Sequence, residues 1–289
     1  MSGNKNLSFL FDSPIFALSF PFNTKTFKMN TVIVPVDFSL VSYNAADYAA
    51  GMLKDVSNAK LVLFHMYEKE HEAELAETQL AQLKDSLGKD CPVTIETDLV
   101  KGDDLIHEIE RVIHHHHADF VVMGMTGKSG IELVFMGSNT LRLVDKNICP
   151  VLIVPPEAKF ERIRNVVVAS DFENVRLTTP SGPIKTVLEM FHPSLHVVNV
   201  NSEHYVALTE KYQKERAIML EMFADYNPEF YFIGMTDFFE AIEQFIIDKN
   251  IDILITIPRR HHVLKGMLKG HHTKKLAYHT HIPLLAVHE

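Results

Sequence analysis

The chain has few thiols: Cys91 and Cys149 are its only cysteines in 289 residues. Two are too few for a disulfide framework or a structural zinc site made of thiolates. A reducing, cytoplasmic setting is therefore the default expectation. No apolar run reaches the roughly 18 residues that a membrane-spanning helix requires, so no membrane association is expected. Positive charge is also scarce. Twenty-eight Lys and Arg face 37 Asp and Glu, a net charge of −9, and the isoelectric point is near 6.0. That balance argues against a basic surface for nucleic acid. Two phosphate signatures are absent as well. A P-loop needs a glycine five residues before Gly127, in Gly127-Lys128-Ser129, and that position is Val122. No G-x-G-x-x-G occurs at this turn either.

What is present reads as a globular protein. A hydrophobic content of 46 % beside 22 % charge is ordinary for a soluble fold, and the length suits one large domain or two of common size. Residues 1–28 stand apart, with Phe9, Phe11, Phe16, Phe20, Phe22 and Phe27 among prolines and serines. Asp12 and Pro14 interrupt the apolar stretch a signal peptide would need. This segment reads as an extension, either flexible or preceding a start at Met29.

From Thr31 onward strands and helices alternate. Thr31 to Val36, Leu61 to Met66, Val93 to Leu99, Phe120 to Met123 and Val151 to Val154 read as strands. Helices are expected around Asn44 to Leu53, over Glu70 to Leu87 with Leu75, Leu80, Leu83 and Leu87 on one face, and from Leu105 to near His114. Alternation of this kind implies a parallel sheet with helices on both faces. The pattern then recurs. Thr31-Val-Ile-Val-Pro-Val-Asp37 falls on Asn165-Val-Val-Val-Ala-Ser-Asp171 at an offset of 134 residues (165 − 31), and Asp119, Gly137 and Thr140 meet Asp252, Gly270 and Thr273 at 133. Two copies of one α/β unit follow. The expected division is 1–28 extension, 29–155 first unit, 156–164 linker and 165–289 second unit, with the Pro155-Pro156 pair at the joint.

Gly124 to Thr140 is the stretch with most chemistry in it. Gly124 and Gly127 lie at the carboxyl end of the fourth strand, where open α/β sheets bind ligands. Gly137 permits close approach, and Ser138, Asn139 and Thr140 can cap a helix beginning near Leu141 and offer N–H groups to an anion. The same glycines are also ordinary turn residues on spacing alone. Lys128 can act as a point charge for a terminal phosphate or stand solvated in its loop. Histidines crowd the second unit: His261, His262, His271 and His272 are candidate metal ligands, a basic patch, or exposed loop residues. The run His114 to His117 reads as a helix carboxyl-terminal cap.

Gly124-x2-Gly127-x9-Gly137-Ser138-Asn139, with Val34-Pro-Val-Asp-Phe-Ser39 before it, resembles the ATP-binding type of the universal stress protein family in tandem form. The resemblance spans about residues 29 to 289. It implies two Rossmann-like domains, each an open five-stranded parallel sheet of order 3-2-1-4-5 with helices on both faces. It also implies pairing through the last strands, within the chain and between chains as a homo-oligomer. Carried over by position, Pro35, Val36 and Asp37 meet the nucleoside, Asp37 at the ribose. Met66 meets adenine through its backbone, Met123 and Gly124 flank the ribose, and Gly127, Gly137, Ser138, Asn139 and Thr140 hold the phosphates of ATP, with or without Mg2+.

The second unit departs from the signature. Ile257, Arg260, His271 and His272 stand where Gly124, Gly127, Ser138 and Asn139 stand in the first. A β-branched residue at the first glycine position forbids the family's mode of binding there. The expected function is regulatory binding of an adenine nucleotide by the first unit. The alternatives are slow hydrolysis at the same loop and a histidine-based metal module. Asp37 has no evident partner base, so no catalytic residue is assigned.

Overall fold

The computed structural model describes residues 30–89, 92–127, 134–135, 137–203, 206, 209–258 and 281–288. Lys128, the four candidate histidines 261, 262, 271 and 272, and the extension at 1–28 lie outside those residues.

In the first half, β1 (Asn30–Pro35), α1 (Leu40–Leu53), β2 (Ala59–Tyr67), α2 (Ala73–Gly88), β3 (Thr94–Lys101), α3 (Leu105–His116) and β4 (Phe120–Gly124) follow in turn. A short hairpin of β5 (Thr126–Gly127) and β6 (Val134–Phe135) precedes α4 (Ser138–Lys146) and β7 (Val151–Val154). The second half runs β8 (Asn165–Ala169), α5 (Val175–Thr178), α6 (Ser181–Phe191), β9 (Ser194–Val200), α7 (Glu210–Met222), β10 (Glu229–Ile233), α8 (Phe238–Lys249), β11 (Ile253–Thr256) and β12 (Leu284–Ala286).

Ten of these strands form one sheet in the order β10-β9-β8-β11-β12-β7-β4-β1-β2-β3. Counted within each half, both follow 3-2-1-4-5, as the resemblance implied. Every neighbour within a half is parallel. Among the described residues the one antiparallel contact within this sheet is between the halves, where Leu284, Leu285 and Ala286 pair with Ile153, Leu152 and Val151. Both faces of the sheet are covered, which is why the strands read as unbroken apolar runs. In β1, Val32 and Val34 enter a core shared with α1, α2, α6 and α7, whereas Ile33 enters one shared with α3, α4 and α8.

Several element boundaries differ from the sequence expectation. Helix α1 starts four residues before Asn44 because Ser39 caps it, its hydroxyl accepting the Ser42 N–H at 3.2 Å. The stretch from Glu70 opens as a 3-10 turn over Glu70–Glu72 before α2 begins. Leu75, placed on the buried face by spacing, is 64 % exposed, while Ala76, Leu80, Leu83 and Leu87 are buried. At the end of α3, His117 closes the helix by its left-handed backbone, φ 51° and ψ 49°. Its neighbour His116, in the last turn, also ties its ring to Asp98 at 3.1 Å and to Lys60 at 3.2 Å across β2 and β3.

Candidate functional site

A cleft of about 320 Å³ lies at the carboxyl ends of β1 and β4. Among the described residues it gathers Pro35, Val36, Asp37, Met66, Met123, Gly124, Gly137, Ser138, Asn139 and Thr140. All ten were singled out by sequence. Gly127 belongs to the stem of the small hairpin, pairing with Val134. Sequence reasoning passed over Ser39, Val41, Ser42, Phe64, His65 and Leu105, which complete the wall. Ser39 was legible as a helix-cap residue; nothing in residue type marked His65.

The turn from β1 into α1 is held by its own side chains. Asp37 Oδ1 accepts the Ser39 N–H at 3.1 Å and the Ser39 hydroxyl at 2.6 Å. The Asp37 N–H donates to Ser42 Oγ at 3.3 Å, and that hydroxyl donates to the Ser39 carbonyl at 3.0 Å. Between them Phe38 takes a left-handed φ of 61°, a sparsely populated conformation for an aromatic residue. Partial burial pushes the Asp37 carboxyl pKa up, but the hydrogen bonds from Ser39 and Ser42 outweigh it and hold the value below 3.8. Asp37 is therefore an exposed, fixed carboxylate at the cleft mouth.

Gly124 is needed for a reason that spacing did not reveal. The chain does not turn there: β4 ends at Gly124 and the sheet continues through the Met125 N–H, which donates to the Val154 carbonyl at 2.9 Å. A Cβ on Gly124 would lie 2.4 Å from Val41 Cγ1 and 2.5 Å from the Val41 carbonyl oxygen. The first turn of α1 can approach β4 only because that position carries no side chain. In the second half Ile257 takes this place, buried in the core with Phe172, Val175 and Ile184. There the helix corresponding to α1 is replaced by α5 and α6, broken at Thr179-Pro180.

At the other wall, α4 begins at Ser138 with Gly137 as its N-cap, so the three residues expected to precede a helix at Leu141 form its first turn. The Leu141 N–H is the first to find an intrahelical acceptor, the Gly137 carbonyl at 3.1 Å. The N–H groups of Ser138, Asn139 and Thr140 have none, and a helix start in this state favours an anion. Arg142, one turn on, pairs with Asp104 at 3.1 Å, and Asp104 caps α3 through the Ile106 N–H.

The third wall is the end of β2. Along a parallel strand the N–H and C=O of one residue point to the same side, and the side alternates with each residue. The Phe64 carbonyl accepts the Val36 N–H at 2.8 Å, so Phe64 faces β1. Two residues later Met66 faces that side too, beyond Pro35, where β1 ends. Its backbone donor and acceptor therefore face the cleft. The arrangement joins paired amide groups, a carboxylate and a helix start, which together suit a ligand with a heterocyclic base at one end and an anion at the other.

Residues 28–155 match the universal stress protein family. Over 144 residues the chain is 28 % identical to Universal stress protein MJ0531 of Methanocaldococcus jannaschii, covering 44 % of this chain and 83 % of that protein. A universal stress protein of Archaeoglobus fulgidus shares the fold across nearly the whole length, with a TM-score of 0.67 over 91 % of this chain and 99 % of that chain at 18 % identity. A universal stress protein solved in complex with cAMP is 27 % identical and covers 45 % of this chain and 98 % of that chain, with a TM-score of 0.37. The universal stress protein region contains the whole cleft.

Among the described residues no helix is long and apolar enough to cross a membrane.

Proposed function

We propose that the first half, residues 29–155, is a regulatory domain that binds ATP in the cleft between β1, β2 and α4, in a cytoplasmic tandem protein whose second half binds none. The observation that carries this reading is the convergence on one cleft of three N–H groups without an intrahelical acceptor at the start of α4, the Asp37 carboxylate and the outward-facing backbone of Met66. The phosphates would lie at Gly137 to Thr140, the ribose hydroxyls on Asp37, and adenine against Met66. Gly137 fits this assignment. Among the described residues a Cβ there would meet Thr140 Oγ1 alone, at 3.7 Å, and its φ of −57° suits any residue.

Binding rather than turnover is the chemistry these residues support. Asp37 is already occupied by Ser39, and among the described residues no imidazole or second carboxylate is hydrogen-bonded to it. Among the described residues nothing is thus poised to take a proton from an attacking water.

Gly137→Val tests the reading. Titration calorimetry should find one ATP per wild-type chain. The variant should bind at least tenfold more weakly while melting within a few degrees of the wild type. Equal affinity in a folded variant would overturn the assignment, and two equivalents per chain would overturn the inactive second half.

A further inference from the structure

The β1–β2 ladder stops one step earlier than its strands require. The Val36 N–H donates to the Phe64 carbonyl at 2.8 Å, and the next bond of a regular parallel ladder would run from the Met66 N–H to the Val36 carbonyl. That carbonyl is instead taken by the His65 ring, with Nδ1 at 2.6 Å from Val36 O. A carbonyl only accepts, so Nδ1 carries the proton. The ring is held in place from its other side as well, by Phe38 with ring centroids 4.5 Å apart.

The second half repeats the device with another residue. Asn199 stands at the position of His65, and its side-chain amide donates to the Ser170 carbonyl at 2.8 Å, Ser170 standing at the position of Val36. In both halves the residue that follows the shared aspartate is a phenylalanine with left-handed φ, 61° at Phe38 and 54° at Phe172. Two side chains of different chemistry thus perform one task, which is to donate an N–H to the carbonyl at the end of the first strand.

We infer that His65 is a positioning residue for base recognition: by taking the Val36 carbonyl, its imidazole keeps the β1–β2 ladder from closing over Met66 and leaves the Met66 N–H and C=O open to a ligand's heterocyclic base. The backbone amide pair at Met66 distinguishes one purine edge from another, because it matches the N1 acceptor and N6–H donor of adenine, whereas guanine held in the same orientation presents N1–H and O6 with the polarity reversed. His65 itself touches no substrate in this account. The recognition half of the inference rests on the nucleotide reading above; the ladder half does not.

The test uses the full chain with His65→Leu, which keeps the bulk and removes the donor, and His65→Asn, which installs the residue of the second half. Without nucleotide, amide exchange by NMR should find the Met66 N–H fast in the wild type and in His65→Asn, and slowed at least tenfold in His65→Leu. With nucleotide, the ATP over GTP preference should fall at least tenfold in His65→Leu and survive in His65→Asn, while affinity for inorganic tripolyphosphate stays unchanged in all three. Unchanged Met66 exchange in folded His65→Leu overturns the inference whatever the ligand does. Changed exchange with unchanged base preference overturns the recognition half alone. A wild type that binds no nucleotide overturns the proposed function, and the exchange arm then still decides whether His65 holds the ladder open. If His65→Leu does not fold, the inference stands or falls on His65→Ser, whose side chain is too short to span to the Val36 carbonyl and which should show the same slowed exchange.

Discussion

Asp37 shows how one residue joins local structure to the chemistry of the cleft. Its carboxylate closes the turn from β1 into α1 by accepting two hydrogen bonds from Ser39, and the same bonds keep it ionised. Its folded-state pKa lies below the usual 3.8. The stabilisation it brings is accordingly present in full above that value and is lost as pH falls through the folded-state pKa. Denaturant titrations of wild type and Asp37→Asn should therefore run parallel from pH 5 to 7 and converge only below about pH 4. Curves that converge already near neutral pH would contradict an ionised Asp37 in the folded state. Gly124 carries the opposite lesson about legibility. Its position after a strand was visible in sequence, but its cause was not, because the Val41 backbone it makes room for lies 83 residues away (124 − 41) and enters only through packing.

At the scale of elements, the strands were readable and the helix ends less so. Runs such as Phe120 to Met123 are apolar on both faces because both faces of the sheet are covered, and that signal is local. Helix ends depend on which N–H groups find partners. Ser39 and Gly137 settle the starts of α1 and α4 by side-chain and backbone geometry that spacing only approximates. The hairpin of β5 and β6 had no sequence signature, since its strands are two residues each. Leu75 kept helical spacing yet faces outward, because the stripe toward the sheet runs through Ala76, Leu80, Leu83 and Leu87. A test of the α4 start follows from its geometry. Gly137 has ψ 149°, a conformation that proline accepts in the residue before it, and the first helical position tolerates proline well. Ser138→Pro should leave the circular dichroism spectrum unchanged and weaken ATP binding about tenfold, near 1.4 kcal/mol, by deleting one anion-facing N–H. A spectrum that changes would show the helix start to be misplaced; unchanged affinity would remove Ser138 from the site.

At the scale of the molecule, the halves meet along three residue pairs between β7 and β12, all six residues buried. A fragment ending after the first half, residues 29–160, would leave the β7 edge open. An uncovered apolar edge strand seeks another strand. Because β7 already accepts an antiparallel neighbour, a second copy of the same fragment can take the place of β12 by a two-fold arrangement. Sedimentation of the fragment should give a dimer, and Leu152→Lys should return it to monomer. A monomeric wild-type fragment would mean that the seam is not the adhesive feature of either half.

The antiparallel seam has one more consequence. It sets the strands of the two halves in opposite senses, so the carboxyl edge of the first half and that of the second lie at opposite rims of one continuous sheet. A pair of identical halves would look the same from either rim. Here the rim at Asp37 carries the open cleft, whereas the far rim carries Ile257 sealed into the core. The protein thus has a front and a back, and anything that recognises the filled cleft meets the molecule in a single orientation.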